Sequence, residues 1–235
     1  MEYRRLGRSG LRVSRLALGT MNFGDATPQA DADRIVRTAV EGGINLLDCA
    51  DVYAGGESQR VVGRILHGAG LRDRLILTSK VCMAVGEGPN DRGLSRRHVV
   101  DSCEASLRSL GTDRIDVFFL HRHDPAVPAE EVLATLDLLV RRGKILHPAC
   151  STFPPWRTVE ALMLAERHGW PRFTCEQPPY NLVDRRAEVE ILPMCSAFDL
   201  GVLAWSPLAQ GILAGRYARG AGFPPGSRAT RKKVF

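Results

Sequence analysis

Short apolar runs of strand type recur along the chain and alternate with longer segments of helical spacing. The runs are RLALGT (15–20), INLLDC (44–49), RLILTSK (74–80), IDVFFLH (115–121), HPACS (147–151), FTCEQ (173–177) and VLAWSP (202–207). Their starts are separated by 29, 30, 41, 32, 26 and 29 residues. That is room for a strand and a crossover helix, so the strands are expected to pair in parallel. The intervening segments carry helix signals. Ser95 is a candidate N-cap for a helix with Val99, Cys103, Leu107 and Leu110 on one face and Gly111 at its end. Residues 130–142 place Leu133, Leu136 and Val140 at helical spacing before Gly143, and residues 157–168 run to Gly169.

Two parallel architectures fit such alternation. A doubly wound sheet takes a dinucleotide at a Gly-rich first turn, but GTMNFGDAT after the first run lacks the GxGxxG pattern. The regular units point instead to a (β/α)8 TIM barrel. With seven strands it is expected to be C-terminally incomplete, the eighth strand and last helices missing. No proline-rich linker divides the chain, so residues 1–235 are read as one truncated barrel domain. A barrel without strand eight exposes edges on strands one and seven, which a second subunit could cover; a monomer and a homo-oligomer both remain open.

Composition narrows the class. An apolar content of 44% and a charged content of 25% describe an ordinary soluble chain. The six cysteines lie far apart without a CxxC pair, so no metal site or disulfide framework is expected. There is no signal-peptide core and no apolar run of about 20 residues; a cytoplasmic location without membrane contact is expected. The net charge of +6 comes from scattered arginines, apart from RATRKKVF at the end. Nucleic acid is not an expected partner, because its binders cluster their charge.

The chemistry lies at strand ends, where barrels carry their active sites. INLLDCADVYAGGES stops a buried-looking strand on Asp48 and follows it with Asp51 and Tyr53. The next two strands end at Lys80 and His121. Alone, each residue has an ordinary reading: a turn cap, a solvated charge, a packed ring. Together, on adjacent strands about 4.8 Å apart, they converge. A phenol of pKa about 10 is a poor acid. A neighbouring ammonium favours its phenolate and makes it a better donor. An aspartate holds that lysine charged, and a histidine donates to a carbonyl oxygen on which charge grows. The set protonates a carbonyl oxygen, and none of its members supplies hydride, so a nicotinamide cofactor is implied.

These residues and their surroundings resemble the aldo-keto reductases. YRRLGRSGLRVSRLALGTMNFG is similar to that family's N-terminal hairpin and first strand, and LLDCADVYAGGESQRVVGRIL to its Asp…Tyr segment. LTSK, DVFFLHRHDPAVPAEEVLATL, EQPPYNLVDRR and LAWSPLAQGILAGRY resemble its lysine, histidine, sixth-strand and seventh-strand segments. The resemblance implies an NADP(H)-dependent reductase of small aldehydes or ketones. It makes Tyr53 the general acid, Asp48 and Lys80 its tuning partners, and His121, rather than nearby His123, the carbonyl-orienting group. Asp51 is read as structural. For the cofactor it implies Ser151 and Gln177 on the carboxamide and Trp205 on the nicotinamide face. Ser206, Leu208, Gln210 and Gly211 would approach the pyrophosphate, and Thr20 and Met21 the ribose.

Some positions depart from the family pattern. His147, Pro148 and Ala149 precede Ser151 where relatives have an aromatic, an aliphatic and a glycine. Pro148 lacks a ladder donor and predicts a distorted strand five with Ser151 displaced. Relatives continue past strand seven into a segment that grips the adenosine 2′-phosphate, so NADP(H) over NAD(H) rests on resemblance. Arg228 and residues 231–233 could touch phosphate, but they read first as a solvated tail. Alternatives to the enzyme are a cofactor-binding regulatory subunit resembling those of potassium channels, and an inactive truncated fragment.

Overall fold

The computed structural model describes residues 1–231. A short antiparallel hairpin, β1 (Tyr3–Arg5) with β2 (Arg12–Ser14), precedes the main sheet. Seven parallel strands then follow in sequence order: β3 (Leu18–Gly19), β4 (Leu46–Asp48), β5 (Ile76–Val81), β6 (Ile115–Leu120), β7 (Ile145–Ser151), β8 (Cys175–Gln177) and β9 (Gly201–Val202). The helices α1 (Gln29–Glu41), α2 (Glu57–Ala69), α3 (Arg96–Leu110), α4 (Ala129–Arg141), α5 (Pro155–His168) and α6 (Ile191–Ala197) connect successive strands, and α7 (Arg228–Arg231) lies beyond β9. This is a curled parallel half-barrel, consistent with an incomplete (β/α)8 barrel, and each predicted strand is present. β3 and β9 end the sheet and pair on one side only, which fits their two-residue length against six or seven in β5, β6 and β7.

Both faces of the sheet are covered, which is why the strands read as continuous apolar runs. Along β6, Ile115, Phe118 and Leu120 pack into the large cluster shared with the helices. Val117 and Phe119 point into a smaller cluster inside the curl with Leu46, Ala149 and Cys175. Leu6 and Val13 of the hairpin segment close that inner cluster from one end. The hairpin seats tightly there: Gly7 has a φ of 55°, and a side chain on it would meet the carbonyl of Thr174. The helix signals are realised. The Ser95 hydroxyl accepts from the His98 N–H at 3.3 Å, and Gly111 ends α3 in the left-handed conformation that glycine adopts without steric cost.

Strand five differs from expectation. β7 runs unbroken through Pro148, which pairs with Phe118 on one side. Its carbonyl accepts from the Thr174 N–H at 3.0 Å on the other. One missing donor leaves the ladder intact, because the proline still offers its carbonyl and its neighbours carry the register. Ser151 stays in line, paired with Gln177.

Candidate active site

Asp48 is the last residue of β4, Lys80 lies one residue from the end of β5, and His121 follows β6 directly. Tyr53 opens a tight turn, residues 53–56, that leads into α2. The parallel register brings all four to one rim. Lys80 Nζ donates to Asp48 Oδ2 at 2.8 Å, to the Cys49 carbonyl at 2.8 Å and to the Tyr53 hydroxyl at 3.0 Å. The Tyr53 and His121 rings meet edge to face with centroids 6.1 Å apart. His123 lies elsewhere, its ring against Phe153.

Electrostatics fix the protonation states. Lys80 is fully buried. Burial alone would lower its pKa, but Asp48 and Tyr53 offset that and hold the amine above its ordinary value. Burial also raises the Tyr53 phenol, against the opposing pull of Lys80. This departs from the expectation of a net shift towards phenolate, because burial outweighs the Lys80 charge and Asp48 adds to the rise. Tyr53 therefore keeps its proton at neutral pH. Burial, Lys80 and Arg122 press His121 down to about 3, so its imidazole is neutral and has one N–H to donate. Asp51 stands apart from the amine. It accepts from Ser102 Oγ at 2.7 Å, and burial raises it to about 6.

The second half of the rim comes from the strands that follow. Ser151 and Gln177 end β7 and β8 as register partners. Ser151 Oγ donates to the Gln177 carbonyl at 2.9 Å, and Gln177 Nε2 donates to Asp48 Oδ1 at 3.0 Å. The Trp205 indole N–H donates to Thr152 Oγ1 at 3.2 Å. Past it, Ser206, Ala209 and Gln210 have φ of 54°, 47° and 58°. Left-handed backbone at non-glycine residues is costly, and it clusters at ligand clamps. Asn181 Nδ2 ties down the Ser206 carbonyl at 3.1 Å, and Tyr217 Oη ties down that of Gln210 at 3.2 Å. Among the described residues Gln210 Oε1 is buried without a partner, as is Arg228 Nε. Arg228 Nη2 lies 3.8 Å from Met21 Sδ, which joins the far segment to the loop after β3. Leu208 is exposed, and Gly211 follows the strained turn. Thr20 is fully buried and its hydroxyl donates to the Asp48 carbonyl at 3.0 Å, so it serves the frame around the acid. Of residues 231–233, Lys232 and Lys233 lie outside the described residues.

The sequence model of the aldo/keto reductase family matches residues 15–234. The chain belongs to that family. Among curated relatives it is 40% identical over 225 residues to the uncharacterized oxidoreductase YrpG of Bacillus subtilis (strain 168), covering 92% of this chain and 69% of the relative. It is 37% identical over 222 residues to a probable voltage-gated potassium channel subunit beta of rice (Oryza sativa subsp. japonica), covering 94% and 68%. A protein with the same description from Arabidopsis thaliana is 36% identical over 230 residues, covering 97% and 70%.

In this aldo/keto reductase two rim residues escaped the sequence reading. Thr78 Oγ1 donates to Asp48 Oδ1 at 3.0 Å. Its signal was available: Thr78 and Lys80 are two apart on one strand and share a face. Arg122 was treated as one of many scattered cations. Its guanidinium lies 5.7 Å from the Trp205 ring centroid, and Nη1 donates to Thr152 Oγ1 at 2.8 Å. No spacing rule singles it out, because the contact joins residues 30 and more positions apart. Among the described residues no cluster of metal-binding type occurs, and no helix is long and apolar enough to cross a membrane.

Proposed function

We propose that this oxidoreductase reduces an aldehyde or ketone with NADPH, and that Tyr53 is the proton donor. The observation that carries this reading is the hydrogen-bonded chain from Asp48 through buried Lys80 to Tyr53, with the His121 ring alongside. Tyr53 holds its proton until the carbonyl oxygen gains charge, then transfers it; Lys80 steadies the phenolate left behind. His121, being neutral, donates its N–H to the same oxygen and orients it. Asp48, fixed by Thr78 and Gln177, keeps the ammonium in place.

The residues present fit a dinucleotide. Gln210 Oε1 and Arg228 Nε are an acceptor and a cationic donor without partners among the described residues, and the strained turn between Ser206 and Gln210 shapes a clamp. Ser151 and Gln177 would hold the carboxamide, Trp205 the ring face, and Ser206, Leu208, Gln210 and Gly211 the pyrophosphate. Met21 would border the ribose, and Arg228 would reach a phosphate. The bound nicotinamide supplies the hydride.

A second reading is a cofactor-binding regulatory subunit, favoured by the names of two of the relatives. Turnover of NADPH and of NADH against a panel of carbonyl compounds separates the two. We expect reduction by the wild type and a loss of about 10²-fold or more in Tyr53→Phe, with NADPH affinity by fluorescence titration nearly unchanged. An equally active Phe variant removes Tyr53 from its role. Cofactor binding without turnover of any carbonyl favours the regulatory subunit.

A further inference from the structure

Among the described residues the rim carries a cation, Arg122, that the proposed reduction does not use. Arg122 follows His121 directly and is half-buried. Its Nη1 donates to the His121 carbonyl at 3.1 Å and to Thr152 Oγ1 at 2.8 Å, so both hydrogens of that nitrogen have protein acceptors. Thr152 Oγ1 also accepts from the Trp205 indole N–H, at 3.2 Å. One hydroxyl thus anchors the guanidinium and the indole together, on a residue whose own φ is 54°. The opposite edge, Nε–H with Nη2–H, has no acceptor among the described residues. That edge is the fork that matches a carboxylate with two parallel hydrogen bonds.

The acids around it are committed elsewhere. Asp48 is paired with Lys80, and Asp51 accepts from Ser102. Asp124 accepts from the N–H groups of Leu94 and Ala126 at 2.9 and 3.0 Å. Glu176 feels the Arg122 charge through space but makes no hydrogen bond to the guanidinium; it accepts from the Cys150 thiol at 2.8 Å and is fully buried. A half-buried guanidinium held by His121, Thr152 and Trp205, with its bidentate edge free one residue along from His121, is costly unless it meets an anion.

We propose that Arg122 selects the substrate: the carbonyl compounds this protein prefers carry a carboxylate, which the Nε/Nη2 edge of Arg122 binds while the carbonyl lies under Tyr53 and His121. This rests on the proposed reduction for its catalytic consequence, but the anion site stands on its own contacts. Arg122 is a specificity-determining residue, and Thr152 positions it.

The test compares 4-carboxybenzaldehyde with its neutral methyl ester, methyl 4-formylbenzoate, in the wild type, Arg122→Gln and Arg122→Lys. The wild type should favour the acid. In Arg122→Gln the acid-to-ester ratio of kcat/KM should fall about 10- to 100-fold, the scale of a lost charge-assisted pair, mainly through KM of the acid. Arg122→Lys keeps the charge without the fork and should fall between the two. A second readout needs no turnover: in a Trp156→Phe, Trp170→Phe background Trp205 fluorescence should titrate with benzoate but not with benzamide, and Arg122→Gln should weaken the benzoate response by the same factor. If no carbonyl is reduced while benzoate binds through Arg122, the reduction fails and the anion site survives. An unchanged ratio and unchanged benzoate binding in Arg122→Gln, or a loss confined to NADPH affinity, overturns the inference. Should the Gln variant not fold, the Lys variant decides, since equal benzoate affinity there excludes bidentate recognition.

Discussion

At the ends of β4 and β5, Lys80 Nζ has three acceptors within 3.0 Å, and Asp48 Oδ1 accepts from both Thr78 and Gln177. In the loop after β9, Gln210 Oε1 and, further on, Arg228 Nε are buried with none. The first region sits on inner strands paired on both sides; the second hangs from a two-residue edge strand. The difference teaches which half of the site is complete by itself. The acid–amine–phenol chain is organised by the protein alone, whereas the β9 loop has polar groups and strained backbone that make physical sense once a ligand answers them.

The largest test of that contrast is Lys80→Met. It removes a fully buried ammonium and leaves the Asp48 carboxylate without its ion partner. Breaking a buried pair in this way costs about 3–5 kcal/mol, which for a chain of this size lowers Tm by about 2–4 °C per kcal/mol. We expect a melting temperature lower by roughly 10 °C in calorimetry, together with lost reduction. A variant that melts with the wild type would show that the first region is not built around this pair.

Gln210→Ala should have the opposite profile. Its side-chain oxygen has no protein partner to lose, so Tm should stay within about 1 °C. NADPH affinity by fluorescence titration should fall about fivefold, as for one hydrogen bond. If stability drops as it does for Lys80→Met, the loop is structurally complete too and the contrast collapses.

What the sequence made legible follows the same division. The strands were readable because a sheet covered on both faces writes continuous apolar runs, and the chemistry because Asp48, Lys80 and His121 each interrupt such a run at its end. Helix ends at Ser95 and Gly111 were legible as local capping signals. The loop contacts were not. The link from Arg228 to Met21 spans 207 positions, and the one from Trp205 to Thr152 spans 53; neither has a periodicity. Pro148 misled, because propensity counts its missing N–H but not the carbonyl it still offers to Thr174. The sign of the Tyr53 shift was also beyond the sequence, since it depends on how deeply the phenol is buried.

The smallest expected effect concerns Glu176, which joins the two regions from beneath. It is fully buried on β8, and its Oε2 accepts from the Cys150 thiol at 2.8 Å while Oε1 has no side-chain or backbone hydrogen-bond partner. Burial raises its carboxyl to about 7, against the opposing pull of the Cys150 thiol and of the nearby backbone of Thr152 and Phe153. A carboxyl raised on folding contributes stability that is present below its unfolded value of 4.5 and lost as pH rises through about 7. The depressed imidazole of His121 works in the opposite direction, losing stability as pH falls from 6.5 towards 3, and Asp51 is ionised above about 6. Between pH 6 and 8 Glu176 is therefore the main one of these three to act. Over that window Glu176 takes about 1 kcal/mol, or about 2–4 °C in Tm, from the wild type, against the lowered imidazoles of His98, His121, His123 and His147, which gain stability in the wild type and the variant alike. Glu176→Gln, which keeps the shape of the protonated acid, should flatten the profile and melt above the wild type at pH 8. A Gln variant with the wild-type slope would place the ionising group elsewhere. One with a flat slope but altered Trp205 fluorescence would show that the carboxyl also sets the Thr152 turn on which Trp205 and Arg122 depend.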